Sequence, residues 1–103
     1  MTYVVANRVP VTPEFAERFE ESFRNREGKV ENHPGFLRME VLKPEDPEGV
    51  YVVLTHWRSK DDFVAWMRSD DFRKGHAHPL PPEACRGKSE IETHELLISA
   101  SAA

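Results

Sequence analysis

Asn7, Trp66 and His76 are the residues whose types and positions could do chemistry. In the opening run MTYVVANRVPV, strand alternation puts Tyr3, Val5, Asn7, Val9 and Val11 on one face, so a carboxamide falls in the middle of an apolar row. A buried amide needs a hydrogen-bond partner. Trp66 shares a helical face with Phe63 and Met67, and His76 follows ten residues later, ahead of Ala77, His78 and Pro79. A neutral imidazole at that point can ligate a metal. Each residue alone also has a plain structural reading. Asn7 can be a strand-edge residue satisfied by backbone, Trp66 ordinary core, and His76 a surface residue at a helix end, where the dipole favours its cation.

The elements that must position these residues follow a βαβ plus βαβ pattern, in one domain spanning residues 1–103. A strand over residues 2–11 is followed by Thr12 as helix N-cap and Pro13 in the first turn. Phe15, Phe19 and Phe23 recur every four residues beside Ala16, one buried stripe that should end near Gly28 or Asn32, before the turn signal His33-Pro34-Gly35. Leu37, Met39 and Val41 alternate with Arg38 and Glu40 as a half-buried strand. An acidic turn from Pro44 to Gly49 then leads into an apolar strand, Val50 to Trp57, that pairs back as a hairpin. Ser59-Lys60-Asp61-Asp62 reads as a capping box opening the second helix. His78 to Lys88, with Pro79, Pro81 and Pro82, reads as loop, and Glu90 to Ser99 as a last strand of poor alternation. Two right-handed halves of this kind make an α+β, ferredoxin-like βαββαβ sheet with both helices on one face. The other face needs a cover, and a second copy supplies it in a homodimeric α+β barrel.

Composition narrows the partners. With 14 Lys and Arg against 18 Asp and Glu the net charge is -4, and no basic stripe interleaved with aromatics is present, which argues against nucleic acid. No apolar run approaches the ~20 residues that span a bilayer, and no signal-peptide pattern opens the chain, so no membrane role is expected. The single cysteine, Cys85, excludes an internal disulfide framework and points to a reducing cytoplasm. It has no flanking motif that suggests catalysis.

Ala6-Asn7-Arg8-Val9, His56-Trp57-Arg58-Ser59-Lys60, and above all the tract from Trp66 to His76 (WMRSDDFRKGH) resemble the IsdG-type haem-degrading monooxygenases. These belong to the antibiotic-biosynthesis-monooxygenase superfamily of dimeric α+β barrels, and the likeness runs from residue 1 to about residue 80. The resemblance implies a haem that is both cofactor and substrate, opened by O2 with electrons from an external donor, an unidentified reductase, and with release of iron. His76 then matches the axial ligand of the haem iron. A helix that breaks near Asp70 to Gly75 would let its ring turn into a cleft between helix and sheet. Asn7 matches the distal amide that hydrogen-bonds to a ligand on the iron. Trp66 matches the bulky residue that presses on the porphyrin and ruffles it.

Around that haem, Arg24 and Arg26 are candidates for the propionates, with Arg8 a third, although a solvated helix face explains them as well. Phe23 is a candidate apolar wall, with core as its other reading. Two rival functions remain: a cofactor-free monooxygenase acting on a small aromatic or quinol, and a non-catalytic haem-binding protein.

Overall fold

Period-two alternation and two apolar helix stripes fold this chain into four strands and three helices among the residues that the computed structural model describes, 1–25, 30–75 and 81–102. In order these are β1 (Tyr3–Val9), a 3-10 turn (Pro13–Phe15) running into α1 (Ala16–Arg24), a 3-10 turn (Val30–Asn32), β2 (Phe36–Leu42), β3 (Tyr51–Trp57), α2 (Lys60–Met67), α3 (Asp70–Gly75), a 3-10 turn (Pro82–Ala84) and β4 (Glu90–Glu95). The sheet order is β2-β3-β1-β4, with every neighbouring pair antiparallel. This is the expected ferredoxin-like α+β sheet, with β1 and β3 inside and β4 at an edge.

Residues directly opposed in an antiparallel pair share a face. β1 pairs Val5 with Thr55, Asn7 with Val53 and Val9 with Tyr51 on β3, and Asn7 with Ile91 on β4. The helices cover that face in two apolar clusters. One joins Val9, Val11, Tyr51 and Val53 to Phe19 of α1, with Phe15, Ala16 and Phe23 packed against it; the other joins Val5, Trp57 and Val30, with Phe63 and Trp66 of α2 packed against it. Trp57 is wholly buried, and its indole N–H donates to Thr55 Oγ1 at 2.9 Å, which satisfies the one polar atom it takes inside. Burial of one such side chain contributes about 1.5–3 kcal/mol, so these clusters are the main attachment of helices to sheet. On the opposite face lie Val4, Ala6, Val52, Leu54 and Leu42, with Arg8, Glu40 and His56 among them.

Several elements differ from the sequence expectation, each for a local reason. Pro10 has no N–H to extend the ladder, so β1 stops at Val9, and Val11 makes only an isolated bridge to Cys85. Thr12 stands at the cap position, but its hydroxyl makes no cap bond, because the helix opens as a 3-10 turn whose first bond runs from Phe15 N–H to the Thr12 carbonyl. The described part of α1 closes at Arg24, and the expected end at Gly28 lies outside the described residues; Val30–Asn32 is a separate 3-10 turn. The β2–β3 register shifts between Phe36 and Arg38, which turns Phe36 onto Trp57 and leaves Leu37 exposed. Met67 is also exposed, so the inward face of α2 is Phe63 and Trp66. β4 ends at Glu95, short of Ser99.

Gly35 shows why the start of α2 is fixed. It sits at φ +82, a left-handed conformation open to glycine, and a Cβ there would run into the Asp62 carboxyl. Its carbonyl accepts from Arg58 N–H at 2.8 Å, holding the end of β3 against the turn. Ser59 then caps α2: its Oγ accepts from Asp62 N–H at 3.2 Å and donates to Asp62 Oδ2 at 3.0 Å. Only half of the expected capping box forms: Ser59 caps the helix, but the acidic side chain answers the hydroxyl rather than the Ser59 backbone N–H.

Candidate functional site

Alternation places Asn7 between Val5 and Val9 on the helix side, at the seam between the two apolar clusters. Its neighbours across the ladder, Val53 and Ile91, offer no side-chain donor or acceptor. Asn7 Oδ1 is buried without a hydrogen-bond partner among the described residues. A half-turn of the carboxamide would put the NH2 there, so this amide can present either a donor or an acceptor. Leaving such an atom unpaired costs about 1–3 kcal/mol.

Trp66 is half-buried at the rim of the second cluster. Its ring lies over Trp57 at 6.4 Å between centroids and 30° between planes, and meets the rings of His33 (5.0 Å, 74°) and Phe72 (5.7 Å, 88°) near perpendicular. It thus shares a cluster with Val5, the strand residue next to Asn7 on the same face. His33, read from sequence as a turn residue, is a packing partner of Trp66, and its Nε2 lies 3.9 Å from Asp71 Oδ2 on α3. The sequence signal for this was only the pairing of a turn histidine with an acidic helix start.

The helical break falls earlier than expected. α2 ends at Met67 and the segment from Asp70 to Gly75 is itself helical, because Ser69 resets the chain: its hydroxyl donates to the Trp66 carbonyl at 2.6 Å and accepts from Phe72 N–H at 3.1 Å. The change of direction is therefore at Arg68-Ser69, and α3 carries the chain on toward residue 76. His76 itself, with His78 and Arg26, lies outside the described residues.

Phe23 packs edge-on against Phe19 (5.1 Å, 64°) and, with Met39, Val41, Tyr51, Glu20, Arg24 and Lys43, lines a hollow of about 470 Å³ between α1 and β2. Arg24 is held by Glu20 and Glu21 on its own helix, and Arg8 points to the face of the sheet opposite Asn7. In the same hollow the Tyr51 hydroxyl donates to Glu20 and Lys43 Nζ lies 3.0 Å from Glu20. Burial and the Glu20 carboxylate push the Tyr51 phenol up to about 12, while the Tyr51 hydroxyl and Lys43 hold Glu20 below its ordinary range. His56 is mostly covered and bonds to Glu40 at 3.0 Å on the opposite face. Among the described residues no cluster of His, Cys, Asp or Glu is arranged to hold a metal ion, and no helix is long and apolar enough to cross a membrane.

Comparison with known proteins fits this geometry. The chain is 34% identical over 97 residues to a haem oxygenase (mycobilin-producing) of Mycobacterium tuberculosis, covering 94% of this chain and 91% of that protein. It is 39% identical over 100 residues to a haem oxygenase (staphylobilin-producing) of Staphylococcus haemolyticus, covering 94% and 88%. A solved haem-degrader of M. tuberculosis with two haems bound in its active site superposes with a TM-score of 0.78 at 29% identity, covering 96% of this chain and 99% of that one. Residues 2–78 match the antibiotic biosynthesis monooxygenase family, and the chain belongs to it, among relatives that are haem-degrading monooxygenases.

Proposed function

We propose that this chain binds haem between its helices and sheet and degrades it oxidatively, using O2 and electrons from an external donor. The observation that carries the reading is the orphaned amide of Asn7, the kind of group that a bound ligand would satisfy. Haem supplies an iron centre that takes up O2 and a porphyrin that is itself oxidised, so cofactor and substrate are one molecule. His76 would hold the iron through its neutral imidazole. The Asn7 amide would offer a hydrogen bond to the bound group, and it is held in a strand between buried valines. Trp66, braced by Trp57, His33 and Phe72, presents a rigid indole at the rim, suited to pressing a flat macrocycle out of plane. Phe23 would form one apolar wall, and Arg26 would meet a propionate.

The second copy belongs to the same reading. The face carrying Val4, Ala6, Val52, Leu54 and Leu42 has no described helix on it, and packing against its symmetry mate would close a barrel. Sedimentation as a clean monomer at micromolar concentration would remove that part alone.

Haemin titration of the purified protein is the decisive measurement. A Soret band that saturates at a fixed ratio, then decays with reductant and oxygen while catalase is present, supports the enzyme. A stable band under the same conditions leaves a haem carrier, and absence of a band leaves a cofactor-free monooxygenase.

A further inference from the structure

Ile91 is the only apolar residue of β4, whose sequence is otherwise charged or polar (EIETHE), and it is 60% exposed. A lone exposed isoleucine is ordinary. This one is placed unusually, because it is the direct antiparallel partner of Asn7, so its side chain stands on the same face, with Cβ atoms about 4.5–5.5 Å apart. The row Val41–Val53–Asn7–Ile91 therefore runs from closed to open: Val53 is buried beneath α1, and Ile91 stands clear at the edge strand. Its neighbours Glu90 and Glu92 point to the opposite face, where they pair with Arg8 and Ala6, so Ile91 is not part of the surface that a second copy would cover. A flat apolar group with one polar contact point fits the pair.

We propose that Ile91 is the apolar wall of the haem pocket beside Asn7 and fixes which edge of the porphyrin lies under the amide. The inference rests on the haem-binding reading above and adds to it a residue that sets regiospecificity. The branched side chain blocks sliding of the macrocycle toward β4, so the edge presented to Asn7 is chosen by fit, before any oxidation.

The chain has two isoleucines, Ile91 and Ile98, the second 79% exposed beyond the end of β4. With methyl-labelled isoleucine, the haem-free protein should give two methyl signals, assigned by Ile98→Val. Adding zinc protoporphyrin should shift the Ile91 methyl by the ring current and leave Ile98 in place. Ile91→Ala should still bind haemin but alter the ratio of product isomers by roughly tenfold or more, the discrimination that a change of this size in apolar fit is worth. If the Soret band appears and the Ile91 methyl does not move, or if Ile91→Ala gives the wild-type isomer ratio, the wall is overturned while haem binding stands. If neither porphyrin binds, the functional reading fails first.

Discussion

Replacing Asn7 with valine should stabilise the haem-free protein and slow haem breakdown. Valine continues the apolar row of Val5 and Val9 between Val53 and Ile91, suits a pleated strand, and removes the unpartnered buried oxygen. An orphaned polar atom costs about 1–3 kcal/mol, and because Asn7 as a whole is only half-buried the lower end applies, so a gain of about 1 kcal/mol is expected. For a domain of this size that is roughly 4–8 °C in Tm. The same change removes a preorganised hydrogen-bonding group from the reacting porphyrin, which should slow the single-turnover rate by about 10²–10³. Thermal unfolding of the haem-free proteins should be compared at matched concentration, because the proposed dimer would make Tm concentration-dependent. The rate is read from Soret decay with reductant, oxygen and catalase. A variant less stable than wild type by a comparable margin, degrading haem at the wild-type rate, would show that the amide is a satisfied structural group. Stability exchanged for activity at one residue is the pattern expected of a functional position.

His76→Ala should lose the spectrum of histidine-ligated haem and recover it with added imidazole, while His78→Ala behaves as wild type; the reverse result in haemin titrations reassigns the ligand. Trp66→Ala removes a ring braced on three sides and should destabilise the protein by about 3 kcal/mol in urea unfolding, whereas Trp66→Phe should retain most of that and part of the activity; an unchanged urea midpoint in the alanine variant would mean the ring has no packing role. Tyr51 holds its proton to about 12 in the folded state against an ordinary value of 10.0. Its contribution is therefore complete below pH 10 and is lost as pH rises toward 12, because there the unfolded chain has released a proton that the folded one keeps. Denaturant midpoints across that window should fall for wild type and flatten for Tyr51→Phe.

What the sequence could carry is the part fixed by period. The two-residue repeat of β1 placed Asn7 on the inward face without any knowledge of its partners, and the spacing of Phe15, Phe19 and Phe23 marked the packed stripe of α1. Single-residue shifts were not legible. Leu37 keeps the parity of Met39 and Val41 in the chain, yet the irregularity after Phe36 turns it out to solvent, since a register slip of one residue reverses every side chain beyond it. Contacts between distant segments were hidden for a different reason. His33 lies 33 residues before Trp66, and nothing local to either announces that their rings meet. The same holds for Asn7 and Ile91, whose adjacency depends on β4 returning beside β1. Ser69 is the instructive intermediate case. Its hydroxyl ends one helix and caps the next through residues only three positions away on either side, so the signal is local. Reading Asp70 to Gly75 as the break missed it, because the acidic pair Asp70-Asp71 belongs to the first turn of a new helix, where carboxylates are favoured by the exposed N–H groups, and not to the end of the old one. That one-turn difference matters for function: Asp70 to Gly75 becomes a separate, capped helix whose direction is set at Ser69 and which is braced by the contacts that Phe72 and His33 make with Trp66, the ring proposed to meet the porphyrin.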